Sequence, residues 1–226
     1  MATYVLVHGA WGGSWGWTGT ARALRAAGHE VWVPSLTGLG ERIHLASPAI
    51  DLSLHIRDVA NVLEYEDLTD VILVGHSYGG MVITGVAGLM AERLRALFYL
   101  DAFLPHDGQS LWEIADEPAR RHYLEAQRDH PGMIAPFAQP PGPGRRLSNH
   151  PLLTLTEPVR TGGAEEGIAN RTYVYATRDA PTVFTQFYES VRDDPAWKVR
   201  AMPTGHIVMA DDPEGLVALL LEEADR

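Results

Sequence analysis

Short apolar runs of β-branched character alternate along the chain with longer stretches in which apolar positions recur every three or four residues. That alternation is the mark of βαβ units and a mainly parallel sheet. Six runs predict strands: Tyr4 to Val7, Glu30 to Val33, Asp70 to Val74, Ala96 to Leu100, Thr172 to Ala176 and Lys198 to Ala201. Between the first two, Trp17 to Ala27 is rich in Ala, Leu and Arg and is closed by Gly28, which predicts a helix with a glycine stop. Ile56, Val59, Ala60 and Leu63 keep helical spacing behind Asp51 or Ser53 as N-cap. Gly79 to Leu94 is apolar nearly all round, as a helix packed between a sheet and a cover should be. A last helix is predicted over Pro213 to Glu223.

From about His106 to Asn170 this alternation fails. A helix is predicted around Pro118 to Gln127, followed by a Pro/Gly-rich stretch from Pro131 to Arg145. So much proline argues against an independent core, so the segment is expected to be a lid inserted at about 106–170 into a single domain spanning 1–226. Pro140-Pro141-Gly142-Pro143-Gly144 reads as a turn or linker within it. No internal repeat is visible.

Gly75-His76-Ser77-Tyr78-Gly79 matches G-x-S-x-G, and it follows the strand Val71 to Val74 and precedes a helical run. That context is the nucleophile elbow of an α/β-hydrolase fold, in which a sharp strand-to-helix turn exposes a serine hydroxyl at the sheet edge. A serine needs a base to take its proton. His206, in Pro203-Thr204-Gly205-His206 after the last predicted strand, stands where the chain order of this fold puts it. His76 is held in the elbow turn and is expected to point away from its neighbour. Two aspartates end suitable strands. Asp179 follows Tyr173 to Thr177, and Asp101 follows Ala96 to Leu100 within an apolar run, where an ionised carboxylate is costly unless paired. The residues leave both open as the acid that orients the imidazole. An oxyanion would be held by the backbone N–H groups of Tyr78 and, from the glycine-rich loop His8 to Gly13, of Ala10. That loop lacks G-x-G-x-x-G, and Trp11 and Trp15 would crowd a pyrophosphate, which argues against a dinucleotide site.

Composition narrows the function classes. The chain of 226 residues is 46% hydrophobic, enough for one α/β domain with a full core. A formal net charge of -11 argues against binding a phosphate backbone, so no nucleic-acid partner is expected. There is no cysteine, which removes disulfides and thiolate chemistry, and the ten histidines show no H-E-x-x-H spacing. No metal and no cofactor is expected. The start, Met1-Ala2-Thr3-Tyr4, carries no signal-peptide pattern and no run approaches a membrane span, so a soluble, cytoplasmic protein without a membrane partner is expected.

Together these residues resemble the plant methylesterase and hydroxynitrile-lyase group of α/β-hydrolases and its bacterial esterase relatives. The likeness is carried by Val5-Leu6-Val7-His8-Gly9-Ala10, Ala26 to Val31, Val71 to Met81, Asp101-Ala102-Phe103-Leu104-Pro105 and Gly205-His206, so it covers most of the chain outside the lid. The resemblance implies an acid at Asp179, although this residue falls one position short of the usual distance to the histidine. Asp101 stands where the plant enzymes have a small or polar residue and looks like a feature of the bacterial branch. The lyases of the group have threonine at the place of Gly9 and lysine after the histidine, where this chain has Ile207. Without that cation to hold cyanide, ester hydrolysis is the expected reaction. The expected substrate is a small, mostly apolar carboxylic ester or lactone, its pocket walled by Trp11, Tyr78, Phe103, Leu104 and Trp112. A homodimer is compatible with this reading. The alternatives are a lyase, lactonase or cyclase on the same site, or a ligand-binding protein of this fold, since fold alone does not decide.

Overall fold

The computed structural model describes residues 1–139 and 147–225, so the predicted turn at Pro140 to Gly144 lies outside the described residues. β1 (Thr3–Val7) leads into a 3-10 turn, Ser14–Trp17, and then α1 (Thr18–Ala26). β2 (Glu30–Trp32), α2 (Leu52–Tyr65), β3 (Val71–His76), α3 (Gly79–Met90) and β4 (Leu94–Leu100) complete the first half. The cap follows as α4 (Leu111–Ile114), α5 (Glu117–Ala126), the antiparallel pair β5 (Met133–Ile134) and β6 (His150–Pro151), and α6 (Leu153–Thr156). β7 (Asn170–Ala176), α7 (Thr185–Val191), β8 (Trp197–Met202), α8 (Val208–Asp211) and α9 (Pro213–Ala224) close the chain.

All six predicted strands form. They make one parallel sheet in the order β2-β1-β3-β4-β7-β8. Alternation along each strand divides the core in two. Val5, Val7, Leu73, Leu97 and Tyr99 face α2, α3 and the cap, whereas Tyr4, Leu6, Ile72, Val74, Phe98 and Leu100 face α1 and α9. Burial on both faces explains why these strands read as unbroken apolar runs. Of the two N-cap alternatives for α2, Asp51 accepts from the Leu54 N–H at 2.8 Å, while Ser53 instead bonds Glu157. α3 is shorter than its apolar run predicts, because Ala91–Arg93 tightens into a 3-10 turn before β4. The helix α7 and the pair β5–β6 are additions that the apolar pattern did not announce. No helix among the described residues is long and apolar enough to cross a membrane.

This topology delivers the C-terminal ends of β3, β4, β7 and β8 to one edge, side by side, which is where parallel α/β sheets carry their sites. At that edge α3 passes so close to the segment after β4 that a Cβ on Gly80 would collide with the Phe103 carbonyl oxygen. Gly80→Ala is therefore expected to lower the melting temperature, at a cost of about 1–3 kcal/mol for overpacking. Gly19→Ala, in α1 with open space around it, is expected to be neutral or stabilising by about 0.5–1 kcal/mol. Thermal unfolding of the two variants checks the contrast, and equal melting temperatures would remove the close contact from the account.

Candidate active site

Ser77 sits at the tip of the β3-to-α3 turn with φ +55°, a left-handed conformation that a non-glycine residue adopts only when its surroundings enforce it. The enforcement is visible. The Ser77 N–H donates to the Leu100 carbonyl at 3.3 Å, and its carbonyl accepts from Gly80 and Phe103 at 3.0 and 3.1 Å. Asp101 (φ +41°) and Trp11 (φ +62°) are left-handed too, so three of the five such non-glycine residues among those described lie at this one edge. The loop after β1 approaches the elbow so closely that a Cβ on Gly9 would lie 2.9 Å from the Ser77 Cβ.

His206 and Asp101 meet across the strand ends. The His206 Nδ1–H donates to Asp101 Oδ2 at 2.7 Å, leaving Nε2 as the basic nitrogen. Asp101 is 1% exposed, and its other oxygen accepts from the Ala176 N–H of β7 at 3.0 Å. Both carboxylate oxygens therefore have donors, which is the condition for burying that charge. Asp179, the other aspartate, is exposed in the turn after β7 and has no hydrogen bond to the imidazole among the described residues. Its carboxylate approaches Gly205 instead, on the solvent side of the histidine loop. Of the two aspartates left open by the sequence, Asp101 is the one hydrogen-bonded to the imidazole.

The imidazole is also held on its faces and through its backbone. Phe184 stacks on it at 4.8 Å and 9°, and the His76 ring lies 4.6 Å away on a 33° tilt. His76 reaches across to the histidine loop: its Nε2 lies 2.8 Å from the His206 carbonyl, so that nitrogen carries the proton and donates it. Burial and the neighbouring His206 push the His76 pKa down to about 3. Phe184, on the segment entering α7, carried no sequence signal, and the His76 role could be read only from the motif's geometry. On the far side of the loop, the Gly205 N–H donates to Asp211, which is paired with Arg178.

Neither the Ala10 nor the Tyr78 N–H donates to a protein acceptor among the described residues. Tyr78 precedes the first turn of α3, where backbone donors have no intrahelical partner. Behind these two donors lies a buried polar lattice. The Tyr78 hydroxyl donates to His55 Nδ1 at 2.9 Å, and His55 Nε2–H donates to the Thr37 carbonyl at 3.0 Å. The Trp11 N–H reaches His150 Nδ1 at 3.4 Å, and His150 Nε2–H donates to Thr154 on α6 at 2.8 Å. The Leu36 N–H donates to His8 Nε2, whose Nδ1–H bonds the Gly9 carbonyl at 2.8 Å. These tautomers follow from the partners, since each ring faces one donor and one acceptor.

An apolar cavity of about 270 Å³ opens beside Ser77 and His206 under the cap. Trp11, Tyr78 and Phe103 line it, together with Phe184 and the cap residues Tyr123 and Phe137. Leu104 and Trp112, also expected in its walls, do not. Leu104 faces a separate hollow beside α7, and Trp112 packs behind Tyr123 at 6.4 Å. A second hollow of about 310 Å³, between the glycine-rich loop and α8, meets the first at Ser77 and His206. Among the described residues, no group of three or more His, Cys, Asp or Glu is placed to hold a metal ion.

The sequence profile of the alpha/beta hydrolase family matches residues 4–219. A carbendazim hydrolyzing esterase of Nocardioides sp. (strain SG-4G) is 40% identical over 97% of this chain and 98% of its own. Salicylic acid-binding protein 2 of Nicotiana tabacum is 26% identical over 99% and 97% of the two chains. Among solved structures, an extracellular α/β-hydrolase from a Paenibacillus species superposes with a TM-score of 0.84 at 22% identity, covering 99% of both chains.

The buried histidines make stability pH-dependent. Desolvation lowers His8 and His55 to about 4 and His76 to about 3, and it holds His150 well below 6.5. These rings stay neutral in the fold while the unfolded chain protonates them below about 6.5. Stability present above that pH is therefore expected to be lost as pH falls toward 4, by on the order of 3 kcal/mol for each of His8 and His55. Urea unfolding at pH 7.5, 6.5, 5.5 and 5 checks this, and a flat profile across that range would contradict it.

Proposed function

The chain belongs to the alpha/beta hydrolase family as a carboxylic-ester hydrolase, and we propose that it works through a Ser77–His206–Asp101 triad on a small, mostly apolar ester. The observation that carries the triad is the 2.7 Å hydrogen bond from His206 Nδ1 to the buried Asp101 carboxylate. It fixes the tautomer that leaves Nε2 free to act as base, and it stabilises the imidazolium that forms.

Ser77 Oγ attacks the ester carbonyl as His206 Nε2 takes its proton. The oxyanion accepts from the Ala10 and Tyr78 N–H groups, which no other acceptor claims among the described residues. Collapse of the tetrahedral intermediate expels the alcohol, which takes the proton from His206. Water then attacks the acyl-enzyme with His206 again as base, and the acid leaves. The acyl group must stay bound through both steps, and the aromatic cavity under the cap covers it. The alcohol and the incoming water use the hollow beside the exposed Ile207. The relatives support ester cleavage as the reaction: one hydrolyses carbendazim by name, and several of the plant relatives are methylesterases. The lyase reading loses support at Gly9, where the 2.9 Å approach to Ser77 leaves no room for a threonine side chain without a shift of the loop.

Hydrolysis of a short-chain p-nitrophenyl ester series tests the assignment. Ser77→Ala is expected to lower kcat by at least about 10⁴, and Asp101→Asn by on the order of 10³ to 10⁴, as for other triads of this type. Asp179→Asn is expected to stay within a few-fold of the parent. The opposite order of the two aspartate variants would move the acid to Asp179, and turnover that survives Ser77→Ala would remove the nucleophile.

A further inference from the structure

Six tyrosines are buried in the fold, and five of their hydroxyls have protein partners. Tyr4 donates to the Leu220 carbonyl and Tyr173 to that of Ala102, while Tyr78, Tyr99 and Tyr175 pair with His55, Thr84 and Thr185. Tyr123 is the exception. It is 4% exposed, its ring packs between Trp112 and Phe137, and its hydroxyl has no hydrogen-bond partner among the described residues. A buried tyrosine hydroxyl ordinarily finds a partner, because desolvating it without one is costly. Tyr123 lines the cavity that also holds Ser77, and its oxygen is not among the fully enclosed unpaired atoms, so the hydroxyl keeps accessible surface on a residue that walls that space. The remaining wall is apolar apart from the reacting groups and Asp116.

Asp116 sits at the rim. One of its carboxylate oxygens caps α5 by accepting from the Ala119 N–H at 2.9 Å, and the residue is exposed. Burial, and then the Asp116 charge, raise the Tyr123 pKa further above the ordinary phenol value, so the hydroxyl is a donor. The same charge disfavours an anion at that end of the cavity.

We propose that Tyr123 is a specificity residue for a distal group of the substrate: the preferred ester carries, on the acyl side, a flat apolar ring ending in a neutral hydrogen-bond acceptor that takes the Tyr123 hydroxyl proton. This deepens the hydrolase reading and rests on it. The cavity volume of about 270 Å³ lies near the lower end of the range for small-molecule sites, roughly 300–1,000 Å³, and suits one ring with a short tail. The six aromatic side chains Trp11, Tyr78, Phe103, Tyr123, Phe137 and Phe184 supply its flat walls.

The test compares p-nitrophenyl esters of benzoic, phenylacetic and 3-phenylpropanoic acids that bear a para-acetyl, para-isopropyl or para-carboxylate group. In the parent enzyme kcat/KM for the acetyl ester is expected to exceed that for the isostere isopropyl by about tenfold or more at one of the three lengths, with the carboxylate poorest. In Tyr123→Phe that ratio is expected to fall by about tenfold, toward one. Because the ratio is taken within each variant, a loss of active protein or a change in ester reactivity cancels. If Tyr123→Phe does not fold, inhibition of the parent by the nine corresponding free acids supplies the same ranking. An isopropyl ester equal to or better than the acetyl ester at every length, or a ratio unchanged in Tyr123→Phe, would overturn the proposal. Failure of the hydrolase reading is recognised separately, as isopropyl-ester turnover that is absent or that Ser77→Ala leaves intact.

Discussion

A carboxylate with 1% exposure governs the geometry of this site. Asp101 leaves the end of β4 with φ +41°, its N–H tied to the Val174 carbonyl and its oxygens to the Ala176 N–H and the His206 imidazole. Such a charge is tolerated inside a fold only while its donors stay in place, so β4, β7 and the loop after β8 are bound to one arrangement. The elbow joins that arrangement through the Phe103 N–H, which donates to the Ser77 carbonyl two residues downstream of Asp101. In a parallel sheet ordered β3-β4-β7-β8, the strand leading to Ser77 and the strand leading to Asp101 are neighbours. An acid at the end of β4 can thus serve the same histidine as one after β7.

A second constraint comes from neutral imidazoles. His8, His55 and His150 are not metal ligands or bases in this arrangement; each accepts one backbone or hydroxyl proton and donates its own. Together they fix the glycine-rich loop, the Tyr78 side chain and the cap helix α6 behind the two free N–H donors. The lattice therefore links the glycine-rich loop and Tyr78 to cap position, and full pairing within it is what makes so many buried polar groups tolerable.

The central strands were legible because both of their faces are buried, so they stood out as apolar runs, and the serine elbow was legible because strand, glycines and helix occur in order. Asp101 was visible as a charge stranded between Leu100 and Ala102, but ranking it against Asp179 needed the strand order, which no local pattern carries. Phe184, which stacks on the imidazole, looks in sequence like any core aromatic. Leu104 and Trp112 show the reverse limit: proximity in sequence to Phe103 and to the cap does not say which way a side chain faces. Tyr123 lay within a predicted cap helix, and only the pairing of the other buried hydroxyls makes its open one informative.

The central claim, that Asp101 holds the Nδ1 proton of His206, is most directly tested by proton NMR of the enzyme labelled with ¹⁵N-histidine. A strongly downfield Nδ1–H resonance of His206 is expected in the parent and in Asp179→Asn, and its loss is expected in Asp101→Asn. A resonance that persists in Asp101→Asn and disappears in Asp179→Asn would contradict the claim and return the acid to the end of β7.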